Sequence, residues 1–185
     1  MLSTSVTLLQ RLKTPDDHAA WQRFVDLYSP LLIFWGQRSG LNEADAADVA
    51  QDVLLLLLNK LPEFQYDPQQ SFRAWLRTVV LNKIRERFRR RATPQGSLGL
   101  SGIAAPDDLG EAWEDEYRQH LVARALTIMK TDFEPATWQA CWEQIVSGRS
   151  AAEVGRELGL SEGAVYVAKC RVLRRLRQEL QGLLD

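Results

Sequence analysis

The sequence has few of the residues from which catalytic and metal centres are built. It contains two cysteines, Cys141 and Cys170, and two histidines, His18 and His120. The cysteines are far apart and form no CxxC or Cys/His cluster, which indicates a reduced intracellular protein without a metal site. Neither histidine lies in a Ser, Cys or carboxylate pattern, and no GxxxxGK[ST] phosphate loop occurs. We therefore expect no enzymatic activity, no metal and no cofactor.

Long apolar runs and strand-like alternation are also missing. No stretch approaches the roughly 20 apolar residues that span a bilayer. Residues 1–13 lack the long apolar core and the small-residue cleavage site of a signal peptide. These absences predict a soluble cytoplasmic protein without membrane insertion. Helical periodicity recurs throughout the chain, whereas polar and apolar residues never alternate steadily between Gly or Asn turns, so the predicted fold class is all-α.

Net charge is nearly absent, but the charges are unevenly distributed. The 185 residues include 23 Lys and Arg and 24 Asp and Glu, which gives a formal net charge of -1. Basic residues cluster at 73–91 and 171–177, and acidic residues cluster at 107–116. Because binding responds to local fields more than to the total charge, these clusters are candidate contact surfaces.

Two helices are predicted before residue 62. The first covers residues 17–38, where one face is aromatic and aliphatic, and Pro30 is expected to kink it or restart it. Asn42 can cap the second helix. Its five consecutive leucines, residues 54–58, surround most of the helix. This pattern indicates burial on more than one side, either inside a bundle or against a partner protein.

A third helix is predicted after a turn-rich loop at residues 63–70. Ser71 can cap it, and Phe72, Trp75 and Phe88 contribute to its continuous apolar stripe. Aromatic residues on such a stripe indicate core packing rather than base stacking. The other positions of this helix are strongly basic.

The composition divides the chain into two domains. Residues 92–116 change to Pro, Gly, Ser and Ala and then to acid, which predicts a flexible linker. The predicted domains are therefore residues 1–91 and residues 117–185. The second should contain about four helices, with breaks at residues 132–135 and at Gly148.

Residues 150–177 carry the most specific local signal. Ser150 and Glu153 form a capping box that opens a short helix. Gly155 allows close approach of a neighbouring helix, and Gly159 permits a tight turn. This spacing predicts a helix-turn-helix. Its expected buried contacts are Val154, Leu158, Leu160, Val165 and Ala168.

Ser161 can cap the second helix of this motif, and we predict that the helix binds DNA. An αα-hairpin with a solvated basic face is the alternative. DNA binding is favoured because the cap, the glycines and the apolar positions agree with the basic helix that follows. The candidate base-reading residues are Ser161, Glu162, Gly163, Tyr166 and Lys169, and the candidate phosphate contacts are Arg171, Arg174, Arg175 and Arg177.

Three segments of the first domain resemble the extracytoplasmic-function sigma factor family. They read WQRFVDLYSPLLIFW at residues 21–35, DAADVAQDVLLLLL at 45–58 and SFRAWLRTVVLNKIRERFRRR at 71–91. Their order and spacing also match, and the resemblance covers nearly the whole chain. Leucines replace acids that are common late in the second segment. The resemblance implies sigma region two up to about residue 91 and sigma region four from about residue 117.

The resemblance also implies site residues in the first domain. Asp48, Gln51 and Asp52 would dock on the largest subunit of core RNA polymerase, and their spacing places them on one helical face. A solvated acidic face is the alternative. Melting of the minus-ten element needs stacking groups and a cationic groove for the freed strand. The candidates for that role are Phe64, Tyr66, Arg73, Arg77, Asn82, Lys83 and Arg87.

The implied partners are core RNA polymerase, promoter DNA and an anti-sigma factor, and the free protein is expected to be monomeric. Region four would read the minus-thirty-five element and hold the polymerase flap through an apolar surface. The acidic linker would either pass through the RNA exit path or act as a solvated tether. Two other functions stay open at this point, a helix-turn-helix repressor or activator and a protein-interaction adaptor.

Overall fold

The computed structural model of the chain describes residues 7–14, 16–63, 71–91 and 110–184. Within these ranges the regular secondary structure is entirely helical, which confirms the predicted all-α class. The short 3-10 segments at Leu61–Glu63 and Lys130–Asp132 follow longer helices directly.

The chain divides into two compact units. The first consists of Met1–Leu121 together with Gly182–Asp185, and the second is Val122–Gln181. The described helices of the first unit are α1 (Leu8–Arg11), α2 (His18–Arg38), α3 (Glu43–Lys60), α4 (Phe72–Arg91) and the N-terminal part of α5 (Gly110–Met129).

Helix α2 is continuous through Pro30. Asp17 caps it by accepting a hydrogen bond of 3.0 Å from the backbone amide of Ala20. Pro30 is exposed, so the backbone hydrogen bond that proline cannot donate is missing on the solvent side, where water can replace it. The helix therefore does not restart there. It ends at Arg38, and Gly40, which has a φ of 93°, allows the turn into α3.

Helices α2 and α3 approach each other closely at Gly36. A Cβ atom placed on Gly36 would lie 2.9 Å from the Cβ atom of Ala46, so a larger residue would not fit. The five leucines of α3 have different surroundings. Leu57 is fully buried, as the bundle alternative requires, whereas Leu55 and Leu58 are exposed. Phe72, Leu76, Val80 and Ile84 of α4 complete this core.

Helix α5 begins earlier than the sequence indicates. The expected start was near Tyr117, but the helix starts at Gly110, so residues 110–116 of the predicted linker are helical. The remainder of that segment, residues 92–109, lies outside the described residues. Trp113 and Tyr117 are buried in the first unit, one turn apart. This burial stabilises a helical turn whose composition by itself resembles a linker.

The second unit contains the rest of α5 and three further helices, α6 (Pro135–Ile145), α7 (Ala151–Leu158) and α8 (Glu162–Leu180). The breaks between them fall at the predicted positions. Pro135 occupies the first turn of α6, where its missing amide removes no hydrogen bond. Gly148 has a φ of 66° in the segment between α6 and α7.

Candidate nucleic-acid interfaces

The outer side of α3 combines polar residues with exposed leucines. Asp48, Gln51 and Asp52, the predicted polymerase-binding residues, are all exposed. Leu55 is 59% exposed and Leu58 is 40% exposed, and both continue the same side of the helix at spacings of three and four residues. We call these five residues the α3 face. Exposed leucines beside carboxylates are typical of a protein-binding surface.

Arg87, a predicted minus-ten residue, forms ion pairs within the protein. Its guanidinium group lies 2.6 Å from Asp45 and 2.7 Å from Asp48. Arg91 also pairs with Asp45. The side chain of Asp45 is only 8% exposed, so removal of its cationic partners would leave a nearly buried charge. Arg87 therefore joins α4 to α3 and holds one carboxylate of the α3 face.

A cleft of about 350 Å³ runs along the basic side of α4. Three predicted minus-ten residues, Arg73, Arg77 and Asn82, line it together with Arg85. Arg85 was not among the predicted minus-ten residues, although it continues the four-residue spacing of Arg73 and Arg77 past Leu81. Asn82 and Arg85 are exposed. The C-terminal end of the cleft is thus open to a phosphate backbone.

The remaining predicted minus-ten residues lie away from this cleft or outside the described residues. The ammonium group of Lys83 lies 3.1 Å from Glu86, and this hydrogen bond lowers the pKa of Glu86. Glu86 also pairs with Arg90. Phe64 and Tyr66 belong to a segment that is not described.

The N-terminal end of the cleft is covered by residues from later in the chain. Arg73 lies 3.0 Å from the carboxylate of Glu114, and its side chain is only 13% exposed. Arg73 also donates a hydrogen bond of 3.4 Å to the carbonyl oxygen of Leu184. The guanidinium carbon of Arg77 lies 5.4 Å from the ring centre of Trp113, which is a cation–π distance.

Aromatic rings attach the first part of α5 to α2. The rings of Trp35 and Trp113 stack with their centres 3.6 Å apart. The hydroxyl groups of Tyr28 and Tyr117 are 2.7 Å apart, and Tyr117 donates a hydrogen bond of 2.8 Å to the carbonyl oxygen of Leu183. Burial raises the pKa of both tyrosine hydroxyls, so both remain protonated donors. By contrast, the indole nitrogens of Trp35 and Trp113 are buried without a hydrogen-bond partner.

The second unit contains the predicted helix-turn-helix. The Oγ atom of Ser150 accepts a hydrogen bond of 3.3 Å from the amide of Glu153, whose carboxylate accepts one of 3.0 Å from the amide of Ser150. The hydrogen bonds from Ser150 lower the pKa of Glu153. A Cβ atom on Gly155 would lie 2.6 Å from the backbone oxygen of Leu160. Gly155 therefore makes room for the turn, and Gly159, with a φ of 67°, ends α7.

The apolar contacts of this motif agree with the sequence pattern. Ser161 caps α8 by accepting a hydrogen bond of 3.1 Å from the amide of Ala164. Ala140 of α6 joins the small core between α7 and α8, so α6 and α7 together orient α8. The predicted members of that core are Val154, Val165 and Ala168, which are buried, and Leu158 and Leu160, which are partly buried.

The outer side of α8 is open to solvent. Tyr166 is 53% exposed, and Val167, which the sequence interpretation omitted, is 49% exposed. Val167 has no charge or cap to identify it, but it follows Gly163 by four residues on the same side. Lys169 is half-buried. The predicted DNA-contacting residues that are exposed are Ser161, Glu162, Gly163, Tyr166, Arg171 and Arg174, and Arg177 is exposed as well.

Two adjacent arginines of α8 have different surroundings. Arg174 is exposed. Arg175 lies 2.6 Å from Glu179 and 3.6 Å from Asp132, and the side chain of Glu179 is only 6% exposed. Both arginines were predicted to contact phosphate. Arg175 thus has two carboxylate partners inside the unit, whereas Arg174 is the more exposed of the two candidates.

A wide apolar groove of about 1150 Å³ lies between α5 and α6 in the second unit. Its walls include Leu126, Phe133 and Trp138, and Trp142 at its edge is 42% exposed. Most of the groove surface is carbon, which suits an apolar segment of a partner protein.

The described residues contain neither a candidate membrane span nor a candidate metal cluster. No described helix is long and apolar enough to cross a membrane. Among the same residues, no three His, Cys, Asp or Glu side chains are grouped to hold a metal ion. Cys141 is buried, and burial raises the pKa of its thiol, while Cys170 is exposed.

Among the described residues, α4 and α8 both carry basic side chains, and α8 lies in a helix-turn-helix, an arrangement that is common in DNA-binding proteins. Residues 24–93 match the family described as Sigma-70 region 2. The chain is 33% identical over 154 residues to the RNA polymerase sigma factor CnrH of Cupriavidus metallidurans, covering 79% of this chain and 76% of CnrH. The chain therefore belongs to the family of extracytoplasmic-function RNA polymerase sigma factors, which direct promoter-specific transcription initiation.

Two further relatives are named ECF RNA polymerase sigma factors. The chain is 29% identical over 155 residues to the ECF RNA polymerase sigma factor SigD of Mycobacterium tuberculosis, covering 80% of this chain and 68% of SigD. It is 23% identical over 176 residues to the ECF RNA polymerase sigma factor RpoE of Cereibacter sphaeroides, covering 95% of this chain and 94% of RpoE. A solved structure titled "1.8 A structure of RsbN-BldN complex" is similar with 20% identity and a TM-score of 0.39, covering 91% of this chain and 96% of that chain. Family membership favours the sigma factor over the repressor and adaptor alternatives.

Proposed function

We propose that this protein is a non-catalytic subunit that joins core RNA polymerase through the α3 face. Helix α4 then contacts the minus-ten element of a two-part promoter, and α8 contacts the minus-thirty-five element. The observation that carries the proposal is that each unit presents a helix with exposed basic residues, while α3 presents exposed acid and leucine. Basic helices bind the phosphate backbone, whereas the α3 face suits a protein.

The α3 face supports the polymerase contact through its composition. Asp52 and Gln51 provide exposed polar groups, and Leu55 and Leu58, which are 59% and 40% exposed, provide apolar area. A basic helix of a partner could pair with the carboxylates while its apolar residues cover the leucines. Rigidity also favours docking, because Asp48 is held in place by Arg87.

The cleft on α4 supports the minus-ten contact. An opened strand needs cations along its backbone and flat groups for its unstacked bases. Arg73, Arg77 and Arg85 line one cleft together with Asn82, whose amide can both donate to and accept from a base edge. Phe64 and Tyr66 remain the proposed stacking residues.

The second unit supports the minus-thirty-five contact through α8. Ser161, Glu162 and Gly163 lie at the exposed N-terminal end of the helix, which is the end that enters the major groove in helix-turn-helix proteins. Arg171 and Arg174 lie further along and are exposed to phosphates. The apolar groove between α5 and α6 is the proposed seat of the polymerase flap. We also propose an anti-sigma factor as a regulatory partner and a monomeric free protein.

Transcription with purified components tests the proposal directly. Core polymerase from the same organism should initiate on particular fragments of a promoter library when this chain is added, and should not initiate on them without it. A chain that binds the same duplex fragments equally well alone and that adds no initiation would contradict the proposal and would indicate an ordinary regulator.

A charge reversal tests the α3 face. Asp52→Arg together with Leu55→Ala should weaken binding to core polymerase by at least about tenfold, because a repulsive charge and a lost apolar contact act at one site. Glu43→Arg is the matched control, since Glu43 is exposed on the same helix but lies on its opposite side. Equal loss of polymerase binding in both variants would remove the docking assignment.

A further inference from the structure

The residues that cover the N-terminal end of the α4 cleft resemble the ligand that the cleft is proposed to bind. Glu114 presents a carboxylate to Arg73 at 3.0 Å, as a phosphate oxygen of DNA would. Trp113 presents a flat ring to the guanidinium group of Arg77 at 5.4 Å, as an unstacked base would. The carboxylate and the aromatic ring thus make the two kinds of contact with the arginines that a single strand of DNA would make.

We infer that Trp113 and Glu114 form an autoinhibitory cap that occupies the single-strand site of α4 in the free protein. This inference rests on the proposed minus-ten function of α4. The cap lies over Arg73 and Arg77 and leaves Asn82 and Arg85 exposed. DNA reaches one end of the cleft at once, and the other end becomes available only when the cap lifts.

The contacts of the cap are weaker than those of the turn that follows it. The side chain of Glu114 is 44% exposed, so its ion pair with Arg73 is partly screened by water. Burial of the indole nitrogen of Trp113 without a partner also opposes closure. One turn later, Tyr117 is fully buried and hydrogen-bonded to both Tyr28 and Leu183. The cap can therefore open while the rest of the helix stays attached.

Single-stranded DNA binding by the free, full-length chain tests the cap. The probe is a fluorescein-labelled DNA of mixed sequence and about 20 nucleotides, long enough for one binding site. Glu114→Gln removes the charge with little change of shape and should tighten binding about fivefold by raising the fraction of open molecules. Glu114→Lys should tighten it further, and the slope of log affinity against log salt should steepen by about 1.4, or 0.7 for each arginine that gains a phosphate.

Asp115 supplies the matched control. It is the next residue of α5 and is exposed, so Asp115→Asn and Asp115→Lys make the same charge changes away from the cleft. The DNA affinity of Asp115→Asn should stay within about twofold of that of the wild type. The affinity of Asp115→Lys should differ from the wild type only by a general charge effect, to within about twofold. In a chain that already carries Arg73→Ala, Glu114→Gln should no longer tighten the binding of single-stranded DNA. The inference is overturned if the Glu114 and Asp115 pairs gain equally, or if the gain survives Arg73→Ala.

Transcription assays separate this inference from the proposed function. Initiation by the wild-type chain with core polymerase, without a gain in DNA affinity for Glu114→Gln, would overturn the cap and leave the sigma function intact. Absence of initiation by the wild type would overturn the proposed function itself. Because Glu114→Gln is nearly isosteric, it provides this comparison even if Glu114→Lys fails to fold.

Discussion

The two candidate DNA-binding helices differ in how their basic residues are occupied. On α4, Arg73 and Arg87 have carboxylate partners within the first unit. On α8, Arg171 and Arg174 are exposed. Similar basic sequences thus give one surface that is neutralised at Arg73 and Arg87 and another that is neutralised at Arg175 but exposed at Arg171 and Arg174. A count of arginines does not distinguish these surfaces, because only the folded chain decides which arginines meet an acid.

The first way to break this comparison is to remove the turn that orients α8. In Gly155→Ala the new Cβ atom would lie 2.6 Å from a backbone oxygen, which cannot rotate away. We expect the free energy of unfolding of the second unit to fall by about 3 kcal/mol. Gly163→Ala is the control, since its Cβ atom would meet nothing closer than 3.9 Å. Thermal denaturation followed by circular dichroism measures both, and an undiminished stability in Gly155→Ala would contradict the geometry.

The next change affects the hydrogen bonds that attach α5 to Tyr28 of α2 and to Leu183. Tyr117→Phe removes one hydroxyl and leaves the hydroxyl of Tyr28 and the carbonyl of Leu183 buried without their partner. The expected loss of stability is about 2 kcal/mol. Tyr166→Phe should change stability by less than about 0.5 kcal/mol, because Tyr166 is 53% exposed. Urea denaturation compares the two, and equal effects would show that the buried hydroxyl pair contributes nothing.

Within α8 itself, the adjacent arginines sharpen the comparison. Arg174→Ala should reduce the salt dependence of duplex DNA binding by about 0.9 in the log–log slope, the value for one lost phosphate contact. Arg175→Ala should reduce that slope less and lower stability more, since it removes one partner of the nearly buried Glu179. Fluorescence anisotropy at several salt concentrations gives the slopes. Equal slopes for the two variants would mean that Arg175 releases its carboxylates when DNA binds.

The smallest expected effect is a pH dependence of the first unit. The rings of His120 and Phe34 lie 4.3 Å apart, and burial lowers the pKa of His120 from its ordinary value of 6.5. Above pH 6.5 the histidine is neutral in both states, and the stability is full. As the pH falls below 6.5, the unfolded chain takes up the proton first, so the stability decreases. It levels off once the pH is below the folded-state pKa. His120 is only partly buried, so the remaining contact with solvent limits the effect to about 0.5 kcal/mol. Denaturation at about pH 7 and about pH 5 should show this loss for the wild type and not for His120→Gln.

The sequence predicted local features well where one residue type has one physical role. Asn42, Ser71, Ser150 and Ser161 cap the helices that they were expected to cap, because a side-chain oxygen before an apolar-periodic segment has few other uses. The helix-turn-helix was predicted for the same reason. Gly155 and Gly159 fix the backbone, and the small core follows from apolar spacing.

Features that depend on distant pairs were not predicted. Trp113 and Glu114 were assigned to the linker because their neighbours are acidic and small, and nothing local indicates that Trp35 would stack on Trp113. The carboxylate partners of Arg87 are likewise distant in sequence, at Asp45 and Asp48, 42 and 39 residues away. Helical spacing shows that an arginine is outside the core, but it does not show which acid lies opposite. For the α3 face, the sequence predicted the polar residues but not the exposed Leu55 and Leu58.

The burial of Trp113 and Tyr117 against Trp35 and Tyr28 also bears on how fragments and chimaeras of this protein should be cut. A fragment that stops at residue 91 would leave the rings of Trp35 and Tyr28 facing water and would be prone to aggregate. Exchange of promoter specificity with a relative should therefore place the junction inside α5 after Leu121, where the first unit ends, and should retain the native residues 182–184.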